Sequence, residues 1–176
     1  MQENEIPPGR KAGRGMLAIM WVMILAALAF AFAKWEDKQY NPNASIEGAV
    51  DGGKRTVVLK QNDWGHYVAN GRINGSTVTF LLDTGATSVA IPESLARKLK
   101  LKPGPRYWVS TANGNIEVRG TRIDRLELGP IVFHNVPAAI NPGMDDGEIL
   151  LGMSALKQVD FYQSGKQLTI TQYLSP

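Results

Sequence analysis

The residue with the clearest chemical potential is Asp83, which stands between an apolar stretch and a tight turn. The run 79–82 has the β-branched and apolar character of a strand, and Thr84 and Gly85 follow the aspartate directly. A strand that ends in a Thr-Gly turn delivers one carboxylate to a fixed position, where it can act as an acid or a base. Asp83 is therefore the candidate catalytic group. Viewed alone, the pattern also fits an aspartate that only closes an Asx turn.

The composition excludes several kinds of functional site. The 176-residue chain contains no cysteine, which rules out thiol nucleophiles, disulfides and cysteine-based zinc sites. Its histidines, His66 and His134, lie far apart without a second ligand at metal spacing, so no metal site and no cofactor are expected. The formal charge is only +3, and Arg10, Lys11 and Arg14 precede the first apolar stretch. Nucleic acid is therefore not an expected partner.

An uncharged apolar stretch at residues 16–33 predicts a transmembrane helix. As a helix it would extend ~27 Å, close to the thickness of a bilayer's hydrocarbon core. Basic residues precede this stretch and mixed charges follow it, which predicts a cytoplasmic tail at residues 1–15 and the remaining chain outside. The alternative is a cleaved signal peptide, because Ala31-Phe32-Ala33 fits a cleavage site, but the length of the apolar run favours an anchor.

Residues 34–55 are polar, lack a sustained apolar period and are interpreted as a linker. Residues 56–176 are expected to form one mostly β domain, in which turn signals such as Asn70-Gly71 separate short strands. The predicted strands are 56–60, 66–68, 77–82, 88–91, 106–110, 115–118, 122–128, 131–140 and 167–172. Two short helices are predicted at 92–99 and 154–158.

The sequence Asp83-Thr84-Gly85-Ala86 resembles the active-site motif of retropepsin-type aspartic proteases, and the resemblance continues downstream. That family follows its motif with a hairpin flap, and then with an apolar pair plus glycine that passes beside the catalytic loop. The counterparts here are Trp108-Val109-Ser110-Thr111-Ala112-Asn113-Gly114 and Ile149-Leu150-Leu151-Gly152-Met153. More narrowly, the chain looks like the single-domain, membrane-anchored bacterial aspartic proteases, over roughly residues 57–170.

The resemblance implies a fold, a reaction and a location. The fold would be a retropepsin-like closed β-barrel or sandwich with one or two short helices, preceded by one transmembrane helix. The reaction would be hydrolysis of peptide bonds by an aspartic endopeptidase, in which paired Asp83 carboxylates share a proton and activate water. Because each chain supplies one such motif, the resemblance implies a homodimer joined through the catalytic loops. The implied location is the bacterial inner membrane, with the protease domain in the periplasm.

The resemblance also implies roles for the neighbours of Asp83. Thr84 would bond across the dimer axis, Gly85 would allow close backbone approach, and Ala86 would line the floor of the cleft. A second group, Leu151 and Gly152, would pack under the catalytic loop. The flap residues that would lie near a peptide or protein substrate are Trp108, Thr111, Ala112, Asn113 and Gly114.

A second function stays open at the level of sequence. The same fold could serve as a non-catalytic periplasmic module that binds peptides or acts as a scaffold. Proteolysis requires the carboxylate of Asp83, whereas peptide binding could survive Asp83→Asn.

Overall fold

A computed structural model describes residues 8–111, 114–145 and 147–174 of the chain. These residues belong to two units, which meet in sequence between Gln39 and Tyr40. The first unit consists of most of helix α1 (Pro8–Tyr40), whose apolar side chains are exposed. The stretch Gly13–Tyr40 is long and apolar enough to cross a membrane, a property that N-terminal signal sequences share. The predicted span at residues 16–33 lies within it.

The second unit is built from short strands. Its described elements are, in chain order, β1 (Gly48–Asp51), β2 (Lys54–Lys60), β3 (Val68–Ile73), β4 (Ser76–Leu82), β5 (Val89–Pro92), α2 (Glu93–Lys98), β6 (Arg106–Thr111), β7 (Gly114–Leu128), β8 (Ile131–Asn141), β9 (Glu148–Leu151), α3 (Met153–Leu156), β10 (Asp160–Ser164) and β11 (Gln167–Tyr173). Helices α2 and α3 coincide with the two predicted short helices, and most predicted strands overlap an observed one.

The strands form two sheets. The smaller has the order β1-β2-β11-β10, and the larger has the order β3-β4-β9-β5-β8-β7-β6. A short pairing of β3 with β7, through Arg72 and Ile73, joins distant parts of the larger sheet. Because only two residues of β3 take part, the unit is sandwich-like rather than a complete barrel. These features confirm a mostly β domain with short helices after an apolar N-terminal helix.

The hydrophobic core draws on both sheets. Leu59 and Ile170 from the smaller sheet and Phe80, Phe133 and Ile149 from the larger one have almost no exposed surface. Alternation along the strands produces this core, since successive side chains of a strand point to opposite faces. The core therefore fixes β4 and β9 beside each other, and those two strands carry the residues of the candidate site.

The turn predicted at Asn70-Gly71 is wrong, because both residues lie inside β3. A Cβ atom at Gly71 would lie 2.3 Å from the carbonyl oxygen of Glu127 and 2.6 Å from the Phe80 ring. Glycine is therefore needed here for the close approach of neighbouring strands rather than for a turn. Strands β1 and β10 were not predicted, since neither has the alternating burial that marks a half-buried strand.

The segment 34–55, interpreted from sequence as a linker, contains regular secondary structure. It contains the end of α1, all of β1 and the start of β2. Asn43 is buried, accepts a hydrogen bond from the Lys60 N–H (2.7 Å) and donates one to the Val68 carbonyl (2.7 Å). The buried Asn43 amide thus helps to hold the polar segment against the sheet, and the compact unit defined by contacts begins at Tyr40.

Candidate active site

Asp83 lies immediately after β4, at the point where this strand leaves its parallel neighbour β9. Its backbone N–H donates to the carbonyl of Leu151 (3.2 Å), and its own carbonyl accepts from the N–H of Ala86 (3.3 Å). The side chain is half-buried, and its Oδ1 accepts a hydrogen bond from the N–H of Gly85 (2.8 Å). The turn expected from Asp before Thr-Gly is therefore present, and it orients the carboxylate.

The carboxylate keeps one oxygen available. Within the ranges that the structure describes, neither an ion pair nor a second hydrogen bond engages the Asp83 side chain. A Cβ at Gly85 would lie only 3.1 Å from Oδ1, so the glycine leaves room for the carboxylate beside the turn. A half-buried acid with a free oxygen is suited to accept or donate a proton to a bound molecule.

Gly152 supports the loop from the side of β9. A Cβ at this position would lie 2.3 Å from the Ser88 carbonyl oxygen and 2.6 Å from that of Ala86, so only glycine fits. The next residue, Met153, donates its N–H to the Ala86 carbonyl (2.8 Å). Leu151 is fully buried beneath. The structure thus brings the apolar-glycine segment against the Asp83 loop, where the sequence placed it.

Ser154 is a support that the sequence analysis missed. Its buried hydroxyl accepts a hydrogen bond from the N–H of Val89 (3.0 Å) and donates one to the carbonyl of Pro137 (2.7 Å). One side chain therefore joins α3, β5 and β8 behind the loop. A serine in the first turn of a short helix is the available sequence signal, but it does not reveal which strands the hydroxyl reaches.

A cleft of about 350 Å³ opens beside Asp83. Small or aliphatic side chains form much of its wall, and Ser88 and Asn141 add polar groups. The lining residues from the loop and the sheet include Ala86, Ala90, Val118, Ala139 and Leu150. A cleft that combines apolar side chains with hydroxyl and amide groups beside an acid is suited to bind an organic ligand.

Strand β6 covers part of this cleft, but not through every residue predicted for the flap. Thr111 lines the cleft, and its hydroxyl donates to the carbonyl of Gly114 (2.8 Å), which pairs with it across the hairpin. Trp108 is 70% exposed and does not line the cleft, whereas Val109 and Ser110, which were not singled out, do. The predicted flap residues Ala112 and Asn113 lie outside the described residues.

Thr84 faces away from this cleft. It is exposed, and it lines a second hollow of about 340 Å³ whose wall shares only Asp83 with the cleft.

Among the described residues, no three His, Asp or Glu side chains converge as metal ligands would.

Comparison with known proteins identifies the fold and the family of this chain. The fold is that of a retropepsin-like aspartic protease: a crystal structure of such a protease from Rickettsia conorii superposes with a TM-score of 0.55, at 24% identity over 72% of this chain and 95% of that one. The family model described as "gag-polyprotein putative aspartyl protease" matches residues 69–158, and the chain belongs to this family. The matched stretch includes Asp83, Gly152 and the β6–β7 hairpin.

Two relatives are also similar to this chain. An uncharacterized protein from the cobV 5′ region of a Sinorhizobium species is 27% identical over 86% of this chain and 70% of its own length. An uncharacterized protein of Rickettsia prowazekii is 27% identical over 90% of this chain and 69% of its own length. Both matches extend well beyond the 69–158 stretch.

Proposed function

We propose that the chain is a membrane-anchored aspartic endopeptidase. The observation that carries the proposal is the Asp83 carboxylate, oriented by the Gly85 N–H and open to a 350 Å³ cleft in a chain of the aspartyl protease family. A peptide would lie between the Asp83 loop and β6. Ala86 and Leu150 would contact it from one side, and Val109 and Thr111 from the other.

The reaction needs a second carboxylate. Two carboxyl groups held close together resist ionising at the same time, so the pair shares one proton near neutral pH. The ionised member takes a proton from water as it attacks the peptide carbonyl, and the protonated member donates its proton to the carbonyl oxygen. Each chain brings one Asp83, so the complete site forms from two copies related by a two-fold axis.

Helix α1 would anchor the enzyme. Basic residues before the apolar stretch favour a cytoplasmic N-terminus, and the catalytic unit would then lie in the periplasm of a bacterium. Two copies tethered in one membrane have a higher effective concentration than two free copies, so anchoring favours the dimer. Activity would then rise with the density of the protein in the membrane.

The test is cleavage of a diverse peptide library by the full chain in detergent, read by mass spectrometry from acidic to neutral pH. Asp83→Asn is the informative variant, because its amide oxygen can still accept the Gly85 N–H while the acid is lost. Asp124→Asn, at an exposed position on β7, is the matched control. We expect Asp83→Asn to lower cleavage by at least about 100-fold, the usual contribution of a general acid or base, and Asp124→Asn to leave it unchanged.

The alternative is a peptide-binding or scaffold module, and one observation favours it. The Asp83 side chain already has a structural task in the turn, so its presence alone does not require chemistry. If the unmodified chain cleaves nothing while it and Asp83→Asn bind library peptides equally, the endopeptidase proposal is wrong and the binding module stands.

A further inference from the structure

A turn at residues 61–66 of the compact unit presents a large aromatic side chain to solvent. Trp64 is 58% exposed, although aromatic side chains contribute most to stability when they are buried. Its ring meets that of Tyr40 edge to face, with 6.0 Å between the ring centroids. Tyr40 is exposed as well. The two rings form an exposed Tyr40–Trp64 pair on the surface of the compact unit.

The buried side chain of Asn62 fixes this pair in place. It accepts hydrogen bonds from the N–H groups of Trp64 (3.1 Å) and His66 (2.9 Å). It also donates one to the carbonyl of Tyr40 (3.0 Å). The Tyr40 hydroxyl in turn donates to the carboxylate of Glu148, at the start of β9. The exposure of Trp64 is therefore a feature of a turn held by hydrogen bonds.

The position of Tyr40 in the chain brings the pair to the membrane. Tyr40 is the last residue of α1 and the first residue of the compact unit. The stretch Gly13–Tyr40 has 28 residues and would extend ~42 Å as a helix, close to the roughly 40–45 Å thickness of a bilayer with its headgroups. If residues 16–33 fill the hydrocarbon core, Tyr40 lies ~10 Å beyond Ala33 along the helix, at the outer edge of the headgroup layer.

Tyrosine and tryptophan are the side chains that favour this layer. Their rings combine an apolar body with a polar atom, so they are stable where lipid chains meet hydrated headgroups. The acidic side chain of the turn, Asp63, lies 4.0 Å from the Nζ of Lys166. Its negative charge is thus compensated and does not repel anionic lipids. The chemistry of the turn therefore fits a lipid surface.

We propose that the Tyr40–Trp64 pair rests in the headgroup layer and holds the compact unit against the lipid bilayer. The inference rests on the proposed function, since anchoring by α1 brings the pair to the membrane. The turn leads directly to Tyr67, whose carbonyl accepts the N–H of Leu82 (3.0 Å), the residue before Asp83. Lipid contact at the turn would therefore limit the movement of the Asp83 loop relative to the membrane.

The four tryptophans of the chain allow a direct test. Three single-tryptophan variants of the full chain keep Trp21, Trp64 or Trp108 and replace the other three tryptophans with phenylalanine. Each variant is reconstituted into phosphatidylcholine–phosphatidylglycerol vesicles that carry a nitroxide on the headgroup or bromine near the bilayer centre. Trp108 is the matched control, because it is 70% exposed and lies on β6. Trp21, inside the apolar stretch, reports insertion of the anchor.

The two quenchers should separate the three positions. We expect the headgroup nitroxide to quench the fluorescence of Trp64 at least about twice as strongly as that of Trp108. Bromine at the bilayer centre should quench Trp21 and leave Trp64 almost unchanged. Equal quenching of Trp64 and Trp108 by the headgroup nitroxide would overturn the proposal.

A second measurement keeps all four tryptophans. A spin label on the full-length Asp63→Cys variant, next to Trp64, is compared with the same label on Asp124→Cys. Both changes replace an exposed aspartate in a chain without cysteine. In vesicles, the label at position 63 should collide more often with oxygen, which dissolves in lipid, and less often with a water-soluble nickel complex. Equal accessibility at both positions would contradict the lipid contact.

The outcomes also separate this contact from the proposed function. Quenching of Trp21 without selective quenching of Trp64 overturns the contact and leaves the anchor in place. A Trp21 that bromine does not quench counts against the anchor and the contact together. Peptide cleavage by the unmodified chain is measured independently, so failure of the lipid contact leaves the endopeptidase to be judged by its own assay.

Discussion

Replacing Gly152 with alanine should displace the loop that carries Asp83. The added Cβ would lie 2.3 Å from one backbone carbonyl oxygen and 2.6 Å from another, and neither can rotate away as a side chain could. Separation to an ordinary contact requires the loop to move by ~1 Å, and overpacking of this kind costs about 1–3 kcal/mol. The movement would also break the hydrogen bond from Met153 to Ala86, worth ~1 kcal/mol.

The expected loss of stability for Gly152→Ala is therefore ~2–4 kcal/mol, which corresponds to a decrease in Tm of roughly 10 °C for a domain of this size. Differential scanning calorimetry of the full chain in detergent measures it. Gly120→Ala is the control, because a Cβ there meets its nearest atom at 3.5 Å, an ordinary contact. Peptide cleavage well below the Tm should fall as well. A Gly152→Ala protein that melts and cleaves like Gly120→Ala would refute the reasoning.

Two further predictions concern the cleft and the N-terminal part of the compact unit. Val109→Ala should lower kcat/KM by about tenfold through the loss of two apolar methyl groups from the cleft wall, whereas Trp108→Ala should change it less than about twofold. Comparable losses in a peptide-cleavage assay would mean that Trp108 contacts the substrate. Asn43→Ala should reduce the free energy of unfolding by ~2–4 kcal/mol, since it leaves buried backbone groups unpaired. Urea unfolding checks this loss, and an unchanged midpoint would contradict it.

The positions of some residues of the candidate site were predictable because these residues stand in short sequence motifs. One short motif contains Asp83 and Gly85, and another contains Gly152. The structure places all three residues at the Asp83 loop. The sequence does not show whether Trp108 or Val109 lines the cleft. Both residues are apolar, and only the pairing of β6 decides which side chain faces the cleft.

Other features depend on distant contacts. Asn43 sits in a polar stretch, and its burial arises from backbone groups 17 and 25 residues further along the chain. Strand β10 was not predicted from the sequence. Every residue in it is exposed, so no alternation of apolar and polar residues marks a buried face. The apolar-polar pattern reports burial within one chain, so it does not mark a strand that lacks a buried face.

The parallel pairing of β4 with β9 also determines when the loop that carries Asp83 can form during synthesis. The Asp83 N–H bonds to the carbonyl of Leu151, 68 residues later in the chain (151 − 83). At about 5–20 residues per second, that carbonyl is synthesised roughly 3–14 s after Asp83. Parallel strands distant in sequence also pair slowly. A growing chain therefore carries Asp83 for seconds before the loop that orients its carboxylate can be held in place.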